Sequence, residues 1–118
     1  MSMELKWIKC QGEVWCPLTT VNLSHSHFDN LTGVYIIWHG GSNPATVKVG
    51  KGIIRERFTA HRTDPQIQAF SSLGLFATWA SISSIYQDGI EFFLATRLKP
   101  KVGERFPDTI PIEVNLPW

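Results

Sequence analysis

Apolar and polar positions alternate most cleanly over Gly33 to Trp38, where Val34, Ile36 and Trp38 fall on one side and Tyr35 and Ile37 on the other, the period-two signature of a strand. His39-Gly40-Gly41-Ser42-Asn43-Pro44 is dense in turn formers and Thr46 to Val49 resumes an extended pattern, so the two segments are expected to form a hairpin. A centre near Gly41-Ser42 puts Tyr35 roughly opposite Lys48, both projecting from one face. Gly50-Lys51-Gly52 then breaks the strand, and a helix is expected from about Ile53 to Arg62; a spacing of four sets Arg57 and His61 one turn apart on the same side of it. Asp64-Pro65 signals the start of another helix and Gly74 its stop. Leu75 to Ile85 reads as a strand, and Asp88 to Lys99 as a last helix ended before Pro100. Residues 1–32 suggest one or two short strands interrupted by Gly12 and Pro17. Pro107, Pro111 and Pro117 punctuate a tail with room for one short edge strand at Ile112 to Asn115.

These elements predict an α/β fold of the α+β type: a small, mainly antiparallel three-stranded central sheet flanked by helices, with extra N-terminal strands and a proline-rich C-terminal tail. At 118 residues the chain fits a single domain, 1–118, long enough to bury about 65% of its unfolded surface. With 43% hydrophobic and 18% charged residues it has the composition of an ordinary globular protein. No apolar run approaches the ~18 residues of a membrane span, and the opening Met-Ser-Met-Glu-Leu-Lys-Trp-Ile has no uninterrupted apolar core, so no membrane association and a cytoplasmic location are expected. Cys10 and Cys16 are expected to be free thiols. Together with His25 and His27 they have spacings outside those of zinc sites.

The formal net charge is +1, but the charges are not spread evenly. Lys48, Lys51, Arg55, Arg57 and Arg62 fall in one window, and Arg97, Lys99, Lys101 and Arg105 in another, against only Glu56 and Glu104. Such a distribution offers a basic face to a polyanion on a nearly neutral protein; solvated helix faces and a charged loop are the alternative. Glu91 is the acid whose position most needs explaining. Helical spacing groups it with Leu94, Ala95 and Leu98, and an unpartnered charge on an apolar stripe is costly. Three readings stand side by side: a capping box Asp88-Gly89-Ile90-Glu91, a bound cation, or simple exposure.

The order Gly33-Val34-Tyr35, Lys48-Val49-Gly50, Arg57-x-x-x-His61, then Glu91 nine residues before Pro100, resembles the GIY-YIG nuclease domain. The resemblance covers about Thr32 to Lys101, leaving an N-terminal extension, 1–31, and a tail, 102–118. It implies that Tyr35, Lys48, Arg57, His61 and Glu91 surround a scissile phosphate and that Glu91 holds one divalent ion, Mg²⁺ or Mn²⁺. DNA is the implied substrate, with Lys51, Arg55, Arg62, Lys99 and Lys101 as further contacts to it. The chain departs from the family in three places. Lys48 replaces the usual tyrosine of the second triplet, the Arg57 helix begins one residue closer to that triplet, and Gly103 stands where many members carry an Asn after the helix-ending Pro.

Phosphodiester hydrolysis needs an activated water, a positive clamp on the non-bridging oxygens and relief of charge on the leaving oxygen. A guanidinium such as Arg57 suits the clamp, and a single carboxylate suffices for a largely hydrated Mg²⁺. Tyr35 is the leading candidate for general base or water-orienting group, with Lys48 and His61 as competitors for proton transfer or phosphate contact. Each has a plain structural alternative: Tyr35 as a strand aromatic, Arg57 as a surface charge, Lys48 as a strand-face lysine. Trp15, Trp38, Trp79 and Trp118 are either base-stacking platforms or core. The expected function is a divalent-metal-dependent DNA endonuclease. The alternatives are a catalytically impaired nucleic-acid-binding module of that fold and a protein-interaction domain that uses the tail, and self-association or a partner protein is one source of specificity for so short a chain.

Overall fold

In the computed structural model, residues 3–103 and 108–118 are described. The strands are β1 (Cys16–Pro17), β2 (Thr32–His39), β3 (Ala45–Ile53) and β4 (Leu75–Ser81), and the helices α1 (Ile54–His61), α2 (Pro65–Gln68) and α3 (Ser84–Leu98). Single 3₁₀ turns occupy Ser26–Phe28 and Ser71–Leu73. The result is a small α+β fold whose antiparallel sheet runs β1-β4-β2-β3. The three long strands form the expected central sheet, and the two-residue β1 is its N-terminal addition.

β2 lies between two strands and is covered on both faces, which accounts for the unbroken burial of Val34, Tyr35, Ile36 and Ile37. Tyr35 and Ile37 face a core built with Ile54 and Phe58 of α1, Ile67 of α2, Trp79 of β4, and Leu18, Leu23 and Phe28 of the N-terminal segment. Val34, Ile36 and Val49 face a second core with Ile90 and Leu94 of α3, Leu5 and Val114. The period-two reading of this strand therefore assigns every side chain to its observed face. The expected register is corrected: Tyr35 pairs with Gly50 and Lys48 with Ile37, because the turn is longer on the β3 side and a bulge after Ile37 inserts one extra residue. Pairing within one face is preserved, so Tyr35 and Lys48 still project to the same side, one cross-strand step apart.

Asp64 caps α2 by accepting from the Gln66 N–H, with Pro65 in the first turn, as its residue types suggest. α3 begins one turn earlier than expected, at Ser84, and β4 ends at Ser81 rather than running on to Ile85. Asp88 is consequently an interior helix residue, which removes the capping box that would have occupied Glu91. The tail forms no strand at Ile112 to Asn115, only a single parallel bridge between Met3 and Val114. It is stitched to the N-terminal segment by Asn115, whose side chain accepts from the Leu5 N–H and donates to the Leu5 carbonyl. Where it crosses α3, a Cβ on Gly89 would lie 2.6 Å from Ile112, so glycine is the residue that lets this segment lie against the helix. Pro107, Arg105 and Glu104 lie outside the described residues.

The cysteines are also corrected. Cys10 and Cys16 form a disulfide that closes the turn through Gly12 and Glu13, both in the left-handed region; these thiols are neither free nor available to zinc. Among the described residues, no helix is long and apolar enough to cross a membrane.

Candidate active site

Two close backbone approaches set the geometry around Tyr35. At Gly33 a Cβ would lie 2.0 Å from the Ala80 carbonyl oxygen, so β2 and β4 can pair at their observed separation only with glycine there. At Gly50, directly across from Tyr35, a Cβ would lie 2.2 Å from the phenol oxygen and 2.4 Å from Cζ. The Tyr35 ring occupies the space this missing side chain would take, and its hydroxyl reaches His61 of α1. The two glycines of the triplets thus act alike, since one admits the neighbouring backbone and the other admits the phenol.

The phenol meets His61, with Oη 2.5 Å from Nε2. Phe58, three residues earlier on α1, packs edge-on against the Tyr35 ring at 5.3 Å. The imidazole is buried, and burial followed by the Arg57 and Lys48 charges lowers its pKa to about 4, with Asp64 opposing. His61 is therefore neutral at pH 7. With Nε2 as acceptor the phenol donates, and the imidazole proton sits on Nδ1. Tyr35 itself is wholly buried, which pushes its pKa above the ordinary phenol value; the Arg57 guanidinium pulls it down and the Glu91 carboxylate adds to the rise.

Arg57 is exposed at the surface of α1, and the stem of its side chain runs 3.5 Å from where a Cβ on Gly52 would stand. Its charge bears on Tyr35, His61 and Glu91 alike, and that of Lys48 on both His61 and Glu91. Of the groups expected around one phosphate, the guanidinium thus acts on the phenol, imidazole and carboxylate, the ammonium on the imidazole and carboxylate, and the carboxylate on the phenol. They come from opposite faces of the sheet, α1 on one and α3 on the other. They meet beside β3 because it is the edge strand, with no further strand to separate the two layers.

Glu91 is 8% exposed, and no hydrogen bond or ion pair joins its carboxylate to another described residue. Burial raises its pKa, against the pull of Lys51 and Lys48; Asp88 adds to the rise and Arg57 opposes it. Of the three readings of this residue, the cap and simple exposure are both removed. What remains is a carboxylate with no donor among the described residues. Among the described residues no three His, Cys, Asp or Glu side chains cluster as ligands, so a cation held here would take one carboxylate and otherwise water. That donor set fits Mg²⁺, which dehydrates reluctantly.

The other expected contacts are sorted by their partners. Arg55 donates to the Leu23 and His25 carbonyls and to Asp29, and Arg62 to the Leu18 and Val21 carbonyls, so both guanidinium groups are committed to holding the N-terminal segment over the first core. Lys51 pairs with Asp88 beside Glu91. Lys99 and Lys101 are exposed and lie at the far end of α3, away from Glu91. Asp88, expected only as a helix cap, instead stands one turn before Glu91, pairs with Lys51 and adds to the rise in the Glu91 pKa. Comparison with known proteins finds no matching family model, no matching curated protein and no matching solved structure.

Proposed function

We propose that this chain is a DNA endonuclease of the GIY-YIG type, hydrolysing a phosphodiester bond with one Mg²⁺ or Mn²⁺ at Glu91. The observation that carries this reading is the largely buried Glu91, its carboxylate without a donor among the described residues, within the field of Lys48, Lys51 and Arg57 and acting on the Tyr35 phenol. Burial makes the ionised carboxylate unfavourable, and a cation bound there would relieve that cost, with Lys48 and Arg57 left to meet a phosphate. The ion, when bound, supplies relief of the charge that develops on the leaving oxygen. Arg57, exposed and planar, clamps the non-bridging oxygens with two of its donors; Lys48 adds a second positive charge from the strand face.

Tyr35 acts as the water-orienting group. Its hydroxyl donates a hydrogen bond to His61, so the lone pairs of the phenol oxygen are left to accept from a water and aim that water's own lone pair at phosphorus. Burial disfavours the phenolate, which makes orientation the better supported of the two roles considered for this residue. The same feature favours a second reading, a nucleic-acid-binding module of impaired activity, since Lys48 replaces the second phenol and the first is held protonated. Incubation of supercoiled plasmid and branched or single-stranded DNA with and without Mg²⁺ or Mn²⁺ separates the two. Metal-dependent cleavage abolished by Glu91→Ala is the expected result. Salt-sensitive binding that leaves every substrate intact selects the module, and cleavage indifferent to Glu91→Ala rejects both assignments of the site.

A further inference from the structure

Three tryptophans form a cluster at the margin of the second core, against which Trp38 is packed half-buried. Trp15, Trp38 and Trp118 pack edge to face, with centroids 5.3 Å apart for Trp15 and Trp38, 6.2 Å for Trp15 and Trp118, and 5.0 Å for Trp38 and Trp118. Trp79, by contrast, is 2% exposed and belongs to the interior, whereas Trp118 is 58% exposed. A tryptophan buries so much area when it is structural that this degree of exposure in a cluster of three is unusual for packing alone. Beside them runs a groove of about 580 Å³ bounded by Pro44, Thr46, Leu98, Lys99 and Lys101. The segment carrying Lys101 is fixed to the edge of β3 by N–H donation from Lys101 to the Thr46 carbonyl, 3.2 Å, and from Val102 to the Val47 carbonyl, 2.8 Å. The Lys9 ammonium stands 4.6 Å over the Trp15 ring.

We propose that this groove binds an unpaired nucleotide of a single-stranded nucleic-acid segment, the base stacking on the tryptophans and its phosphates meeting Lys99 and Lys101. The charge selects the ligand. Every ionisable side chain lining the groove is cationic, with no Asp or Glu among the lining residues, so it fits an anion that also presents aromatic faces, which is the description of a single strand. A base inside a duplex cannot offer such a face without leaving the stack. The identification of the ligand as nucleic acid rests on the nuclease reading, and the position of the groove extends that reading to a substrate class. Thr46 and Gly50 are four residues apart on β3, about 13 Å, and Glu91 and Leu98 seven apart on α3, about 10 Å. At ~3.4 Å per stacked step, the groove lies within about four nucleotides of the phosphate at Glu91. The preferred substrate is therefore a duplex with an unpaired segment close to the cut, rather than uninterrupted duplex.

The test is tryptophan fluorescence of the full chain, titrated with short oligothymidylate in the presence of EDTA and repeated with Glu91→Gln, so that no cleavage intervenes. Saturable quenching is expected in both, weakened about tenfold or more by Trp118→Ala and largely restored by Trp118→Phe, which keeps an aromatic face. Lys99→Ala combined with Lys101→Ala should lower the slope of log affinity against log salt by about 1.4, at ~0.7 per phosphate contact. Thermal melting checks that each variant is folded. Quenching equal in Trp118→Ala and the parent, or quenching by a proline-rich peptide and not by oligothymidylate, overturns the proposal. Quenching as expected without metal-dependent cleavage of any DNA removes the nuclease reading and leaves the groove assignment standing. Cleavage that depends on Glu91 but treats duplex with and without an unpaired segment alike does the reverse.

Discussion

Replacing Gly50 by alanine tests the central packing argument, because the new methyl group would be placed 2.2 Å from the Tyr35 hydroxyl and 2.4 Å from Cζ. Both are below any tolerated carbon contact, and the atoms in the way belong to a wholly buried ring flanked by Phe58 and His61, so they have little room to give. Overpacking of this kind costs about 1–3 kcal/mol. Displacing the phenol from His61 leaves a buried hydroxyl without its acceptor, worth another ~1–3 kcal/mol. Against these stands the gain of up to ~1 kcal/mol from a less flexible unfolded chain. The net expectation is a loss of about 3 kcal/mol, or roughly 10 °C in Tm. Urea denaturation of the single and double variants measures it. In a Tyr35→Ala background the space is open, so Gly50→Ala should cost nothing or stabilise slightly, giving a coupling of about 2 kcal/mol or more. Equal cost in the two backgrounds would refute the claim that Gly50 is there to admit the phenol.

Glu91→Gln should raise the stability of the metal-free protein at pH 7, because a carboxylate whose pKa burial raises destabilises the fold whenever it is ionised. Added Mg²⁺ should raise the melting temperature of the parent and leave the Gln variant unmoved, and a parent indifferent to Mg²⁺ would sink the metal assignment. His61 gives the opposite sign. Its folded pKa lies below the unfolded value, so the stability it contributes is complete above pH 6.5 and is lost as pH falls towards about 4. That loss amounts to about 3 kcal/mol. Since Glu91 gains on protonation over an overlapping range, the acid loss should be read in the Glu91→Gln background, where His61→Gln is expected to flatten it. An unchanged acid profile would mean that the imidazole is already charged in the native state.

Faces are legible in the sequence where registers and partners are not. The alternation through Val34 to Trp38 sorts each side chain to its core, because a two-residue period does not depend on what the strand pairs with. The offset between Tyr35 and Lys48 depends on a bulge, and nothing local announces one at Ile37-Trp38. The start of α3 is hidden because Ser83 and Ser84 follow an apolar, β-branched run and pass for the end of its strand; the capping box at Glu91 falls with that boundary. Arg55 and Arg62 look like polyanion contacts in a basic window. Their acceptors are carbonyls at Leu18, Val21, Leu23 and His25, more than thirty positions away in the case of Arg55 and Leu23, and only folding brings these together. The order of Tyr35, Arg57, His61 and Glu91 along the chain suggests that they gather; folding joins Tyr35 to His61 directly and brings the charges of Arg57 and Glu91 to bear on Tyr35 beside an edge strand.

The way charges are treated elsewhere in the molecule distinguishes this site from a region that is merely polar. Arg55, Arg62 and Asp29 are satisfied by hydrogen bonds, and Lys51 and Asp88 by each other. At Tyr35, His61 and Glu91, burial is in each instance the largest influence on the titration, and in each it disfavours the charged form. A fold selected for stability alone would have replaced the carboxylate with an apolar side chain to match Ile90 and Leu94 beside it on α3. Instead a carboxylate that burial penalises when ionised is kept beside Lys48 and Arg57, at a cost to stability at neutral pH. Under the proposed function, that cost is the preorganisation a reaction centre needs before its substrate arrives. It follows that anions binding here should stabilise the protein more than equal concentrations of salt acting elsewhere, since they complete the electrostatics that folding leaves open.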